Sequence, residues 1–171
     1  RADVESTEYS TVYEFELDEK ADAVVRQGLE TLEGGLPYVL AFVGEIEEVT
    51  VAAAETVSWG RSAREAADGL VVTDVGRTVP GKEPAMFRVA YVGDPEDGVG
   101  VAALFEKDGG EWKCALRDES PKLFYPLPLV GTNDLGVPFA VASAGFEPVP
   151  ERNGIYAGSG DDAPTQSNWR L

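Results

Sequence analysis

The chain has 171 residues, 31 of them Asp or Glu against 14 Lys or Arg, which leaves a net charge of −17. That balance repels phosphate backbones and anionic membrane surfaces, so the expected partners include no nucleic acid and no membrane. With no histidine and a single cysteine, Cys114, an internal disulfide, a cysteine zinc site and the usual zinc, haem and Ser-His-Asp chemistries are excluded.

The acidity reads either as a solvated surface suited to a salty or acidic proteome, or as a face made for a basic partner. No apolar run approaches the ~20 residues of a membrane span and no signal peptide is visible, which points to a soluble, cytoplasmic protein. Arg1 in place of a starting methionine, and the closing "QSNWRL" with Trp169 and Leu171, suggest a piece of something longer.

"STVYEFELD", residues 10–18, alternates Val12, Phe15 and Leu17 with polar residues and predicts a strand. In "DEKADAVVRQGLETLEGG" the period changes, and Ala21, Val24, Val25, Leu29 and Leu32 fall on one helical stripe. Asp18 is the expected N-cap and Gly34-Gly35 the expected stop. An apolar strand then follows at 38–43, with further strands near 46–53 and 55–61 and a short helix at 62–68. "GLVVTDVGRTV", "AMFRVAYVGD" and "GVGVAALFEKDGGEWKCAL" continue as an antiparallel meander. In it "GDPEDG" is a loop and Asp108-Gly109-Gly110 a hairpin turn. Alternation in "EWKCAL" places Cys114 inward with Trp112, as an inert buried thiol. The fold class is therefore α+β: a mixed, largely antiparallel sheet with few helices.

The glycines of "EGGLP" and "DGVGVA" match neither GxGxxG nor a P-loop, and "TDVGRTVPGKE" reads as a hairpin turn. Glu45, Glu47 and Glu48, or Asp161 and Asp162, are acid clusters of the kind that chance supplies in so acidic a chain. They make a small carboxylate-only enzyme, with or without Mg²⁺, the weakest reading. Trp59 with Arg61 and Arg64 has the composition of a base-stacking platform, which the net charge opposes.

Residues 123–155, "LFYPLPLVGTNDLGVPFAVASAGFEPVPERNGI", are almost free of charge until Glu151, Arg152, Asn153 and Gly154. Pro126, Pro128 and Pro138 confine the flanking strands to edges or bulges. "EPVPERNGI" reads as an extended, proline-stiffened arm that ends in Arg152. The guanidinium is permanently charged and suits phosphate, or equally a structural ion pair with one of the many acids.

The stretch "SPKLFYPLPLVGTNDLGVPFAVASAGFEPVPERNGI" resembles the segment after the nucleotide-binding domain in sacsin-like ATPases, through its "LPL" strand, its "GVPF" turn and its arginine ending. "YEFELDEKADAVVRQGLETLEGGLPYVLAFVGEIEEVTV" resembles the start of the same module in proteins with a heat-shock-protein-90-like ATPase head. The resemblance implies a two-layer, transducer-like middle domain over residues 1–156, with 157–171 a linker and the start of a following element. It implies Arg152 as the arginine that reaches the ATP γ-phosphate, with Asp134, Leu135 and Pro138 on the approach and Asn153 and Asp134 as further nucleotide-side candidates. A longer insertion separates the turn from the arginine here than in that family's pattern. The Glu/Asn helix and DxGxG loop of GHKL ATPases are absent from the sequence. ATP and Mg would thus belong to the parent's N-terminal ATPase head, which closes in a dimer, while this part couples hydrolysis to a client or effector. A non-catalytic acidic interaction module is the alternative.

Overall fold

The computed structural model describes residues 19–52, 55–115, 117, 119–158 and 162–171. The predicted strand at 10–18, with Asp18 as N-cap, lies outside the described residues. The chain divides into two units, Arg1–Glu30 and Thr31–Leu171. In the first, the described residues are the opening of helix α1 (Glu19–Phe42), where Val24 and Val25 are exposed.

In the second unit α1 continues to Phe42, and residues 34–42 are all buried. The expected stop at Gly34-Gly35 and the expected strand at 38–43 are therefore corrected. A short run that is apolar all round carries no period to separate strand from helix, and enclosure on every side decides for helix. The two glycines serve close approach instead. A Cβ on Gly34 would lie 3.2 Å from Ser120 Oγ, and one on Gly35 3.3 Å from Pro128 Cγ. Pro37 lies inside the helix and removes the N–H that would bond the Glu33 carbonyl. At the next residue, the Ser120 hydroxyl donates to the Gly34 carbonyl at 3.0 Å.

Nine strands are described: β1 (Glu48–Ala52), β2 (Thr56–Ala67), β3 (Leu70–Thr78), β4 (Ala85–Gly93), β5 (Gly100–Asp108), β6 (Glu111–Cys114), β7 (Leu123–Tyr125), β8 (Leu127–Pro128) and β9 (Ala140–Ala142). They form one sheet in the order β1-β2-β3-β4-β5-β9-β7-β8, with β6 also paired to β5. Every pairing is antiparallel except β7 with β9. With helix α2 (Ala163–Asn168) near the end of the chain, the class is α+β, as expected.

The predicted helix at 62–68 is strand: β2 runs to Ala67 in register with β3, and cross-strand pairing overrides local propensity. A bulge between Arg61 and Ala63 sets Arg61 opposite Val75 and Arg64 opposite Thr73, so both arginines share the inner face with Trp59. That placement accounts for Trp59, Arg61 and Arg64 standing together in the sequence. The Arg61 guanidinium donates to the Gly44 carbonyl at 2.8 Å and the Leu40 carbonyl at 3.4 Å. It brings positive charge to the C-terminus of α1, whose own last turn has no basic residue. Arg64 donates to the Tyr91 hydroxyl at 2.8 Å. Arg61 thus closes a helix end and Arg64 holds a core tyrosine, which gives both guanidinium groups partners within the fold.

The core lies between α1 and the inner sheet face. Trp59 packs against Phe87 with ring centroids 5.3 Å apart, and Phe42 and Tyr38 each sit 5.4 Å from Phe124. Trp59 Nε1 and Thr73 Oγ1 are buried there with no hydrogen-bond partner among the described residues. Cys114 is exposed, which corrects its expected burial. Alternation does hold in β6, but Trp112 and Cys114 belong to the outer face, where the Arg88 guanidinium lies 4.3 Å above the Trp112 ring. Asp108-Gly109-Gly110 is the predicted hairpin turn. Gly109 and Gly110 have φ of 56° and 91°, as a two-residue loop with both central residues left-handed requires.

Candidate functional site

β7 and β8 form a hairpin around Pro126, with Phe124 opposite Pro128 and Tyr125 opposite Leu127, and β8 ends the sheet. An edge is where proline is tolerated. β9 lies inside the sheet between β5 and β7, which corrects its expected edge position; Pro138 precedes the strand and removes no ladder donor.

The loop after β8 makes a 3-10 turn over Thr132–Leu135, bracketed by Gly131 and Gly136 in left-handed conformations. Thr132 is buried and fastens this loop to β7. Its Oγ1 accepts from the Lys122 and Leu123 N–H groups at 3.0 and 3.1 Å and donates to the Leu129 carbonyl at 2.8 Å. Asp134 and Leu135 are exposed on the turn, where Asp134 accepts from Asn133 Nδ2 at 3.1 Å; Pro138 is exposed beyond it.

"EPVPERNGI" folds back on itself and is not the expected extended arm. Pro148 bridges Ile155, the Val149 N–H donates to the Gly154 carbonyl at 3.1 Å, and the Arg152 N–H donates to the Val149 carbonyl at 2.9 Å. Asn153 and Gly154 favour a tight turn over continued extension. Arg152 sits at its tip with φ of 53°, a left-handed conformation that costs a non-glycine residue about 1 kcal/mol. Asn168, on α2, clamps the base of this hairpin. Its side chain accepts from the Glu147 N–H at 2.7 Å and donates to the Glu147 and Tyr156 carbonyls at 3.0 and 2.8 Å. Residues 157–171, read as a linker and the start of a following element, thus contain the helix that fixes the Arg152 turn.

The Arg152 side chain is exposed and lies beside Tyr125. Nη2 donates to the Tyr125 carbonyl at 2.7 Å, and the guanidinium carbon is 5.8 Å from the Tyr125 ring centre. No carboxylate among the described residues pairs with it, so the structural ion pair is not formed. Asn153 stands against Gly131, where a Cβ would lie 3.7 Å from its own. The structure therefore brings Arg152, Asn153, Tyr125 and the foot of the loop carrying Asp134 to one place. Leu127, Val130, Leu135 and Phe139 of the same segment are exposed large apolar side chains. Tyr125, Thr132 and Asn168 were missed in the sequence, where nothing marks a residue whose role is to hold another.

A guanidinium offers five N–H donors and no removable proton, so the site can hold an oxyanion but cannot do acid-base work. Its exposed, unpaired arginine and neighbouring amide suit a phosphate oxygen. Among the described residues no group of three or more Cys, Asp or Glu side chains could hold a metal ion, and no helix is long and apolar enough to cross a membrane. Glu45, Glu47 and Glu48 are exposed, Asp161 lies outside the described residues, and Asp162 caps α2 by accepting from the Thr165 N–H at 2.9 Å. No family model matches the chain, and no curated protein or solved structure does either.

Proposed function

We propose that this chain is the middle, transducer-like part of a sacsin-like or heat-shock-protein-90-like ATPase, and that Arg152 completes the ATP site of a separate head domain. The observation that carries this reading is an exposed arginine that no carboxylate among the described residues pairs, in a chain of net charge −17. A surface so rich in carboxylates neutralises a stray arginine easily, and this one instead rests on a backbone carbonyl with donors to spare. Its left-handed backbone adds weight, because strain of this kind gathers at functional positions. The exposed Leu127, Val130, Leu135 and Phe139 nearby suit a face that another domain covers.

ATP and Mg belong to the head in this reading, and bound ATP supplies the γ-phosphoryl group that is transferred to water. Arg152 stabilises negative charge that develops on the phosphoryl oxygens, and Asn153 offers an amide donor at the same edge. Asp134 has no cation partner among the described residues and accepts from Asn133 Nδ2. The test is steady-state ATPase activity of the full-length parent. Arg152→Ala should lower turnover by about a hundredfold or more while nucleotide binding stays intact. Turnover within about twofold of wild type would exclude the role.

A further inference from the structure

The outer sheet face, opposite α1, carries an apolar row that no described element covers. Leu70 pairs with Val92, Val92 with Val101, Val101 with Val141, and Val141 with Leu123, so one side chain from each of β3, β4, β5, β9 and β7 stands in line. Leu70, Val92 and Val101 are 43%, 51% and 38% exposed. Aliphatic side chains in cross-strand register and open to water are what soluble surfaces avoid unless the patch is used.

Where the row meets the β2–β3 and β4–β5 turns, its fringe has one sign of charge. Glu65, Asp68, Asp94, Glu96 and Asp97 are exposed in the last part of β2 and in the two turns at this end, and neither turn contains a Lys or Arg. Among the described residues none of these five forms an ion pair. Elsewhere acids do find partners, as in Lys82 with Glu55, Arg77 with Glu33 and Lys113 with Asp108. Asp68, Asp94, Glu96 and Asp97 at this end are thus met by no cation among the described residues.

We infer that this row is a docking surface for a basic amphipathic helix of a protein partner. Five strands spaced about 4.8 Å apart give a row of roughly 19 Å, the length of about 13 helical residues. The partner's apolar stripe covers Leu70, Val92 and Val101, and its flanking Lys and Arg meet the acidic turns. This surface needs no nucleotide: the side chains that the partner covers, Leu70, Val92 and Val101, lie on β3, β4 and β5, and only the far end of the row, Leu123, shares β7 with Tyr125.

The probe is a fluorescein-labelled synthetic helix of about 14 residues with leucine on one face and lysine flanking it, beside a twin with glutamate for lysine, read by fluorescence polarisation on the 171-residue chain. The lysine peptide should bind and the glutamate twin should not. Val92→Ser with Val101→Ser should weaken binding at least about fivefold with the circular dichroism spectrum unchanged. Glu96→Lys with Asp97→Lys, which leaves the row intact, should weaken it by a similar factor, less so at about 0.5 M salt. If the serine pair unfolds the chain, Leu70→Ser and the charge reversals carry the test. Failure of the lysine peptide to bind, equal binding of the twin, or indifference to the serine substitutions would overturn the inference. So would sedimentation showing a dimer that these serines dissolve, which would assign the face to a second copy.

Discussion

Thr73→Val should make the chain more stable. Thr73 is fully buried in β3, opposite Val89 and Arg64, and its hydroxyl has no partner among the described residues. A hydroxyl buried without a hydrogen bond costs about 1–3 kcal/mol relative to water, and valine replaces it with a methyl group of nearly the same volume. Valine is also at least as well suited to a strand. The expected gain is about 1–2 kcal/mol, which for a chain of this size raises Tm by roughly 2–8 °C. Thr73→Ser keeps the hydroxyl but loses a methyl, and should lose about 1 kcal/mol. Urea unfolding followed by tryptophan fluorescence reads both, with unchanged m-values as the check that only stability moved. A Thr73→Val chain no more stable than wild type would refute the reasoning, because it would mean that the hydroxyl is satisfied.

Three further predictions concern the elements that frame the core and the site. Burial pushes the Tyr38 hydroxyl up to about 12, helped by the charge of Cys114 and opposed by Arg117. The folded state then holds the phenol proton more tightly than the unfolded chain, so this contribution is complete below about pH 10 and is lost as pH rises toward 12. Tyr38→Phe should remove roughly 1–1.5 kcal/mol of alkaline destabilisation between pH 8 and pH 11, measured by urea unfolding at the two values. Arg61→Met should cost about 1–2 kcal/mol through loss of the bonds to Gly44 and Leu40, with Arg61→Lys recovering part of it; equal melting temperatures would dismiss Arg61 as a helix cap. Asn168→Ala should leave the sheet intact but speed amide exchange at Val149 and Tyr156 several-fold, since it unclamps the hairpin that carries Arg152.

The meander was legible because its signals are local. Asp108-Gly109-Gly110 and "GDPEDG" announce their turns, and between them the residues alternate with a period of two. Helix α1 was half legible: its stripe to Leu32 has a helical period, but from Leu36 to Phe42 every position is apolar, and only tertiary enclosure separates helix from strand there. Gly34-Gly35 looked like a stop because glycine usually ends helices, whereas here it admits Ser120 and Pro128 against the helix. At the site, Arg152 stood out by composition, yet its setting did not. The turn that replaces the expected arm depends on a bridge between Pro148 and Ile155 and on Asn168 from α2, which are contacts no local pattern encodes. Arg61 and Arg64 needed the bulge in β2 before their common face could be seen.

The most direct measurement on the central claim is single-turnover hydrolysis of ATP bound to the full-length parent, compared for wild type, Arg152→Lys and Arg152→Ala. If Arg152 stabilises charge on the γ-phosphoryl group, the hydrolysis step should slow by about a hundredfold or more in Arg152→Ala and by less in Arg152→Lys, while ADP affinity stays the same in all three. Rates within about twofold of one another would contradict it, and would leave Arg152 a surface residue held on the Tyr125 carbonyl.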